Sequence, residues 1–351
     1  MALGSGLEAN HVKPSVPNIR QVAEYAGVSV GTVSNVLNRP DLVAPSTRER
    51  VQAAIKELNF VRNDSARQLR AGRSRTLGLV VLDISNPFFT DVARGVEEIA
   101  NHNGLAVIVC NSDDDTEKES SHLDLLNEMR VQGVLINPIE GSDKKIEMLR
   151  EHGTPVVLFD RQAASEGECS VAVNDLLGGR QALTHLIDTG HQRVLFLSGP
   201  FHLRQVQERH EGAVAAVEAS STPLDLDVMT TPTPNVTTGR SAGDRIAAMP
   251  PSTRPTAVFC ANDLLALGLL QALTHAGLQV PHDIAIVGYD DIDFAAAAAV
   301  PLSSVRQPRQ QLGRTGAELL LDETTNPDHE HQQVTFEPEL IVRRSSDLQR
   351  S

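Results

Sequence analysis

Between residues 19 and 38, apolar side chains recur at helical spacing in two short runs. Ile19, Val22, Ala23 and Ala26 give the first run one face to bury, and Val33, Val36 and Leu37 give the second a face that packs back onto it. Gly27 lies between them, where the chain enters a left-handed turn that costs glycine no Cβ clash, and Ser29 is placed to cap the second run. The pattern predicts two helices joined by a tight turn. A third helix is predicted over 46–58, with Ser46, Thr47, Arg48 and Glu49 as a capping box and Val51, Ala54, Ile55 and Leu58 as its apolar face. Residues 63–70 allow about two helical turns with little apolar face beyond Ala66 and Leu69. A helix that short folds only when something holds it, and the same composition also fits a solvated linker.

From residue 76 the period changes. Continuous apolar runs at 77–82, 106–110, 133–136 and 156–159 predict strands, with helices over 88–103, 117–130 and 144–152. The second half repeats the alternation, with strands at 170–173, 193–197, 257–260 and 284–289 and helices near 175–189, 207–219, 239–249 and 263–276. Strands that are apolar throughout and alternate with helices imply parallel sheets covered on both faces, and the duplication implies two lobes. The predicted fold class is multidomain: an all-α helix-turn-helix headpiece followed by a two-lobed α/β body.

A helical hairpin serves a core as readily as a DNA groove, so spacing alone leaves both readings open. Charge separates them. The whole chain carries −14, yet within 17–75 ten bases face five acids, a local +5. A basic head on an acidic body suits a protein that meets phosphate at one end only. On the exposed face of the second helix stand Val30, Gly31, Thr32, Ser34 and Asn35, short groups that fit a major groove.

The three cysteines, Cys110, Cys169 and Cys260, are odd in number and widely spaced, and read as buried free thiols of a cytosolic protein. There is no run of 18 apolar residues, and residues 1–16 lack the pattern of a signal peptide and read as a disordered tail, so a soluble, cytoplasmic protein with no membrane partner is expected. No phosphate-cradling glycine loop, nucleophile elbow or nucleophile with a nearby base occurs, so neither catalysis nor a cofactor is expected. Asp113, Asp114 and Asp115 read as a solvated helix cap, and His329-Glu330-His331 as a polar turn without a third metal ligand. No metal site is expected.

Ligands of open parallel sheets bind beyond the carboxyl ends of the strands. Past the first strand stand Asn86, Phe88 and Phe89, past the fourth Asp160 and Arg161, and past the second-lobe strands Asn262 and Asp290. Carboxylates, amides and a guanidinium beside aromatic faces suit a sugar, whose hydroxyls pair with the polar groups while its C–H face stacks on phenylalanine. Phe88 also fits an ordinary core contact, and Asp160, Asn262 and Asp290 also fit helix caps.

With these motifs in order, the chain resembles the lactose-repressor (LacI/GalR) family of transcriptional regulators from about 17 to 345. The resemblance rests on Val22-Ala23, Gly27-Val28-Ser29, Thr32-Val33-Ser34-Asn35-Val36-Leu37-Asn38, Ala66-Arg67-Gln68-Leu69-Arg70, Asn86-Pro87-Phe88-Phe89, Gly288-Tyr289-Asp290-Asp291, Val305-Arg306-Gln307-Pro308 and Pro338-Glu339-Leu340-Ile341-Val342-Arg343-Arg344-Ser345. It implies a homodimeric repressor on a palindromic double-stranded DNA operator, controlled by a small-molecule effector, a monosaccharide or derivative. It implies DNA contacts from Arg20, Ser29, Val30, Gly31, Thr32, Ser34, Asn35 and Asn38. It further implies a hinge helix over 63–70 in which Ala66 and Leu69 enter the minor groove, Leu69 as a wedge. Arg62 departs from the proline common before that helix.

The body resembles a periplasmic sugar-binding protein. The effector positions that match are Asn86, Phe88, Phe89, Asp160, Arg161, Arg209, Asn262, Asp290 and Gln307, while Pro234 stands where several sugar binders have an aromatic. The implied organisation is a tail at 1–16, a headpiece at 17–62, a hinge at 63–75, a sensor at 76–345 and a tail at 346–351. The sensor lobes take about 76–174 with 307–337, and about 175–306 with 338–345.

Overall fold

The computed structural model describes residues 17–60 and 74–347, in two compact units that divide after Gly72. The predicted hinge at 63–70, with Ala66 and Leu69, lies outside the described residues.

In the first unit, α1 (Ile19–Ala26) starts at Asn18, whose side chain accepts from the Arg20 and Gln21 amides while Gln21 returns a bond to the Asn18 amide. Gly27 ends it at φ 63°, and Ser29 caps α2 (Val30–Asn38) by accepting from the Thr32 amide at 3.0 Å. The third helix, α3 (Pro45–Glu57), begins one residue before the predicted box and has no side-chain cap. Pro45 replaces that device, because its fixed φ presets the first helical position and it has no amide hydrogen to satisfy. Val22, Ala23, Ala26, Val33, Val36, Val51 and Ala54 form the core.

The second unit holds two six-stranded sheets. The first has the order β11-β5-β4-β3-β1-β2, from β1 (Thr76–Val81), β2 (Ala106–Asn111), β3 (Val134–Ile136), β4 (Val156–Phe159), β5 (Ser170–Val173) and β11 (Gln333–Phe336). The second has the order β12-β10-β9-β8-β6-β7, from β6 (Arg193–Ser198), β7 (Asp225–Thr230), β8 (Ala257–Cys260), β9 (Ala285–Asp290), β10 (Ser303–Arg306) and β12 (Glu339–Ile341). All neighbours are parallel except β12, which runs against β10. The strand at 170–173, which the alternation groups with the second half, belongs to the first sheet, paired between β4 and β11, on the side of the lobe boundary near 174 that the resemblance implies. The chain therefore passes between sheets after β5, after β10 and after β11.

The helices are α4 (Pro87–His102), α5 (Thr116–Glu128), α6 (Asp143–Glu151), α7 (Asp175–Asp188), α8 (Arg204–Ala219), α9 (Val236–Ala247), α10 (Asp263–His275), the short α11 (Asp293–Ala297) and α12 (Arg309–Thr325). Three pairs touch backbone to backbone through reciprocal glycines. In α7 and α8, a Cβ on Gly179 would stand 2.0 Å from the Arg209 carbonyl oxygen, and one on Gly212 1.9 Å from that of Leu176. Gly95 with Gly313 joins α4 to α12, and Gly239 with Gly268 joins α9 to α10, in the same way. This packing sets where the amino ends of α4, α8 and α10 meet the cleft between the sheets.

Candidate functional site

In each sheet the strand order reverses beside the first strand of its lobe, between β1 and β3 and between β6 and β8. Such switch points open a crevice at the carboxyl edge. The two crevices share one cavity of about 320 Å³, at the small end of the usual range for ligand sites.

From β1 the chain turns through Asp83, whose carboxylate accepts from the Ser85 amide and hydroxyl at 2.9 and 2.6 Å, to Asn86. Asn86 caps α4 through the Phe88 amide, and Pro87 starts the helix, so Phe88 and Phe89 enter the cavity wall edge to face, centroids 5.0 Å apart. Both rings also belong to the buried core. Just after β4, Asp160 adopts φ 57°, and at the last position of β9, Asp290 adopts φ 102°. Left-handed backbone at a non-glycine residue costs of the order of 1–3 kcal/mol and persists only where its surroundings enforce it.

Arg209 crosses the floor. Its Nε donates to Asp175 Oδ1 at 2.8 Å, Nη1 donates to the Ala261 carbonyl at 2.7 Å, and its guanidinium carbon lies 3.7 Å from the Tyr289 ring centroid. Burial opposes this charge, but Asp175, Tyr289, Asp290 and Asp160 more than offset it and raise the Arg209 pKa. The carboxylates bear the cost. Burial, reinforced by Asp175 and Asp290, holds the Asp160 carboxyl well above its usual range against the pull of Arg209 and Asn137. Burial likewise raises Asp290, although Arg209, Asn86 and Gln307 lower it. Asn137 donates to Asp160 Oδ2 at 3.0 Å, whereas Oδ1 is buried without a hydrogen-bond partner.

Side-chain contacts tie the lobes across this space, two of them between cleft loops. Asn86 Nδ2 donates to Asp290 Oδ2 at 3.3 Å, and His202 Nε2 meets Asp114 Oδ2 at 2.6 Å.

Seven of the nine expected effector residues line this one cavity: Asn86, Phe88, Phe89, Asp160, Arg209, Asn262 and Asp290. Gln307 does not; it stands behind Asp290 and donates to its Oδ1 at 2.7 Å. Arg161 does not either, for it lines an adjoining recess and bonds to Asp143 Oδ1 at 3.2 Å. Asn262 is occupied twice, capping α10 through the Leu265 amide and donating to the Pro234 carbonyl at 2.8 Å, so the helix-cap reading holds for it. Neither Asp160 nor Asp290 caps a helix.

Asp83, Ser85, Asp113, Asp114, Gln205, Thr233 and Asn235 also line the wall and were not expected there. Of the aspartate triplet only Asp115 is the expected cap, accepting from Glu117 and Lys118 amides. His329 and His331, read as lacking a third ligand, have Cys169 and Glu323 beside them.

On the headpiece, Arg20, Ser29, Val30, Gly31, Asn35 and Asn38 are exposed and Thr32 and Ser34 half-buried. Ser29 also contacts the Thr32 hydroxyl at 2.9 Å, and Asn38 Nδ2 donates to the Ser34 carbonyl at 2.9 Å. Tyr25 on α1, not expected to contribute, is exposed.

Residues 18–63 match the model of the lacI family of bacterial regulatory proteins, and residues 183–346 match a periplasmic-binding-protein-like domain. The HTH-type transcriptional repressor PurR of Vibrio vulnificus is 36% identical over 93% of this chain and 97% of its own length. The chain belongs to the lacI family. Solved structures of family members resemble it over most of its length. A lac repressor dimer bound to operator and the anti-inducer ONPF superposes with a TM-score of 0.81 at 27% identity, covering 94% of this chain and 99% of that one. A LacI-family regulator from Enterococcus faecium with bound ribose gives 0.71 at 31% identity, covering 77% and 98%. Among the described residues no helix is long and apolar enough to cross a membrane.

Proposed function

We propose that this lacI-family regulator is a repressor that binds a palindromic operator as a homodimer, and that a neutral, hydroxyl-rich small molecule held in the cleft changes its affinity for DNA. The carrying observation is the cavity wall. Five carboxylates, of Asp83, Asp113, Asp114, Asp160 and Asp290, surround a single guanidinium already paired to Asp175. Its one cation is already committed to Asp175, so the wall offers an anionic ligand no free positive charge and offers hydroxyls a ring of hydrogen-bond partners. A monosaccharide fits that chemistry, and the ribose-bound relative supports the class. The effector contacts are Asn86, Phe88, Phe89, Asp160, Arg209 and Asp290. Asn262 and Gln307 hold the Pro234 loop and Asp290 in place, and Arg161 acts from the rim.

On DNA, Val30 and Asn35 read base edges, the first a thymine methyl and the second an adenine, while Gly31 gives the backbone close access. Arg20, Ser29, Thr32, Ser34 and Asn38 hold phosphate and register. Ala66 and Leu69 complete the contact in the minor groove, where Leu69 opens a base step. The second copy covers the edge strands β2 and β7, whose Val109 and Val228 are exposed, as are Leu125 on α5 and Met129 just after it. No substrate is turned over, in keeping with relatives that are transcriptional repressors.

Thermal-shift screening of neutral monosaccharides, sugar phosphates and flat heterocycles tests the ligand class, since a ligand that binds only the folded state raises apparent stability by mass action. Stabilisation by neutral sugars is expected. Stabilisation by sugar phosphates or heterocycles alone would overturn it.

A further inference from the structure

At the amino ends of β5 and β11, away from the effector cleft, four side chains from three segments converge. The parallel register pairs Gln333 with Ser170, so the preceding residues, Gln332 and Cys169, also lie side by side, and the Gln332 amide approaches Cys169 Sγ at 3.4 Å. This places the fully buried Cys169 against the two histidines that enter β11. Its Sγ is 3.2 Å from His329 Nε2 and 3.7 Å from His331 Nδ1. Glu323, in the last turn of α12, supplies a carboxylate whose Oε2 is buried without a hydrogen-bond partner. One ligand atom from each of the four lies within 4.8 Å of every other. Behind them, Asp322 Oδ2 meets His329 Nδ1 at 2.6 Å, which fixes the ring with Nε2 toward the cluster.

We propose that Cys169, Glu323, His329 and His331 bind one zinc ion. A tetrahedral zinc with its usual sulfur, nitrogen and oxygen bond lengths separates its ligand atoms by about 3.5 Å, which the two sulfur–nitrogen distances bracket. One thiolate and two imidazoles are too soft a set for magnesium or calcium. The Asp322–His329 pair is the carboxylate–imidazole support that metal-ligating histidines characteristically have. Four protein ligands close the coordination sphere, so the ion is structural and leaves no open position for substrate. It pins α12 to β5 and to the start of β11, the strand from which the chain makes its last passage into the second sheet.

The test uses the full-length protein, reduced, stripped with a chelator and titrated with Zn²⁺ against a chromophoric competitor. One equivalent should bind tightly and raise the sensor melting temperature, and Co²⁺ in its place should give a thiolate-to-cobalt charge-transfer band. Cys169→Ser should abolish that band. His331→Ala, at an exposed position, should leave the fold intact and weaken zinc binding by more than about 100-fold, and Asp322→Asn should weaken it by about 10–100-fold. Equal zinc affinity in wild type and His331→Ala, or a cobalt complex without the thiolate band, would overturn the assignment.

Discussion

Asp160 carries a buried carboxyl whose two oxygens have different fates, Oδ2 held by Asn137 and Oδ1 unpartnered at the cavity wall. Its pKa is raised in the folded protein, chiefly by burial, so the folded state binds this proton more tightly than the unfolded chain does. Its contribution to stability is therefore fully present below the unfolded carboxylate value, about 3.9, and is lost as pH rises through the higher folded value. Asp160→Asn should make the ligand-free sensor more stable at neutral pH and flatten that part of its pH dependence in melts across the acidic range. It should also weaken effector binding by up to about tenfold, one hydrogen bond's worth. Arg209→Ala behaves differently: it strands the buried Asp175 and Asp290 and should cost about 3–5 kcal/mol in a denaturant melt, so lost effector binding there would not separate contact from fold. The residue types of the site were legible because parallel strands end in ligand-facing turns, which put Asn86, Asp160, Asn262 and Asp290 within reach of one another. The roles of Gln307 and Arg161 were not, because they depend on side-chain direction. Asp114 was missed because nothing local in the triplet reveals that His202, from the other lobe, meets it.

Helix pairs show what a sequence conceals most thoroughly. Spacing locates α1, α2, α4 and eight of the twelve described strands to within a few residues, but not β10, β11, β12 or α12, in which Gly313 and Gly316 occupy the packed face beside Leu312, Ala317, Leu319 and Leu320 and thin out the apolar signal. The edge strand β7 escaped for a related reason: only Met229 in it is buried, and Asp225 and Asp227 break the run. The glycines on α7 and α8 have a functional consequence, since their close approach brings Asp175 to Arg209. Gly179→Ala, whose methyl would collide with the Arg209 carbonyl, should cost about 1–3 kcal/mol and weaken effector binding by displacing that guanidinium. Gly95→Ala, in the α4–α12 pair, should cost a similar amount of stability, measured by the same melts. Ser29→Ala removes the cap of α2 and should cost the headpiece about 1 kcal/mol, seen as earlier loss of helical circular dichroism in an isolated-headpiece transition.

At the scale of the whole molecule, two lobes meet through a few polar contacts and a shared ligand cavity. Three passages of the chain between the sheets let the lobes move together as they close. A ligand shifts such an equilibrium only as far as it binds the two arrangements unequally, and the proposed effector would do so through the Asn86–Asp290 and His202–Asp114 ties across the cleft. Duplicated lobes and the basic head were readable from period and charge. The order of strands was not: alternation alone groups the strand at 170–173 with the second half, because it says nothing of which sheet a strand joins, whereas the lobe boundary near 174 implied by the family resemblance assigns it to the first. The proposed coupling of a DNA reader to a sugar-type sensor in one chain is tested by the affinity of the purified full-length protein for a labelled palindromic operator from its own promoter region, at fixed salt, with and without a sugar that raises its melting temperature. The affinity should change by about 5–150-fold, a change lost in Asp290→Asn. Equal operator affinity with and without every stabilising sugar would contradict that coupling.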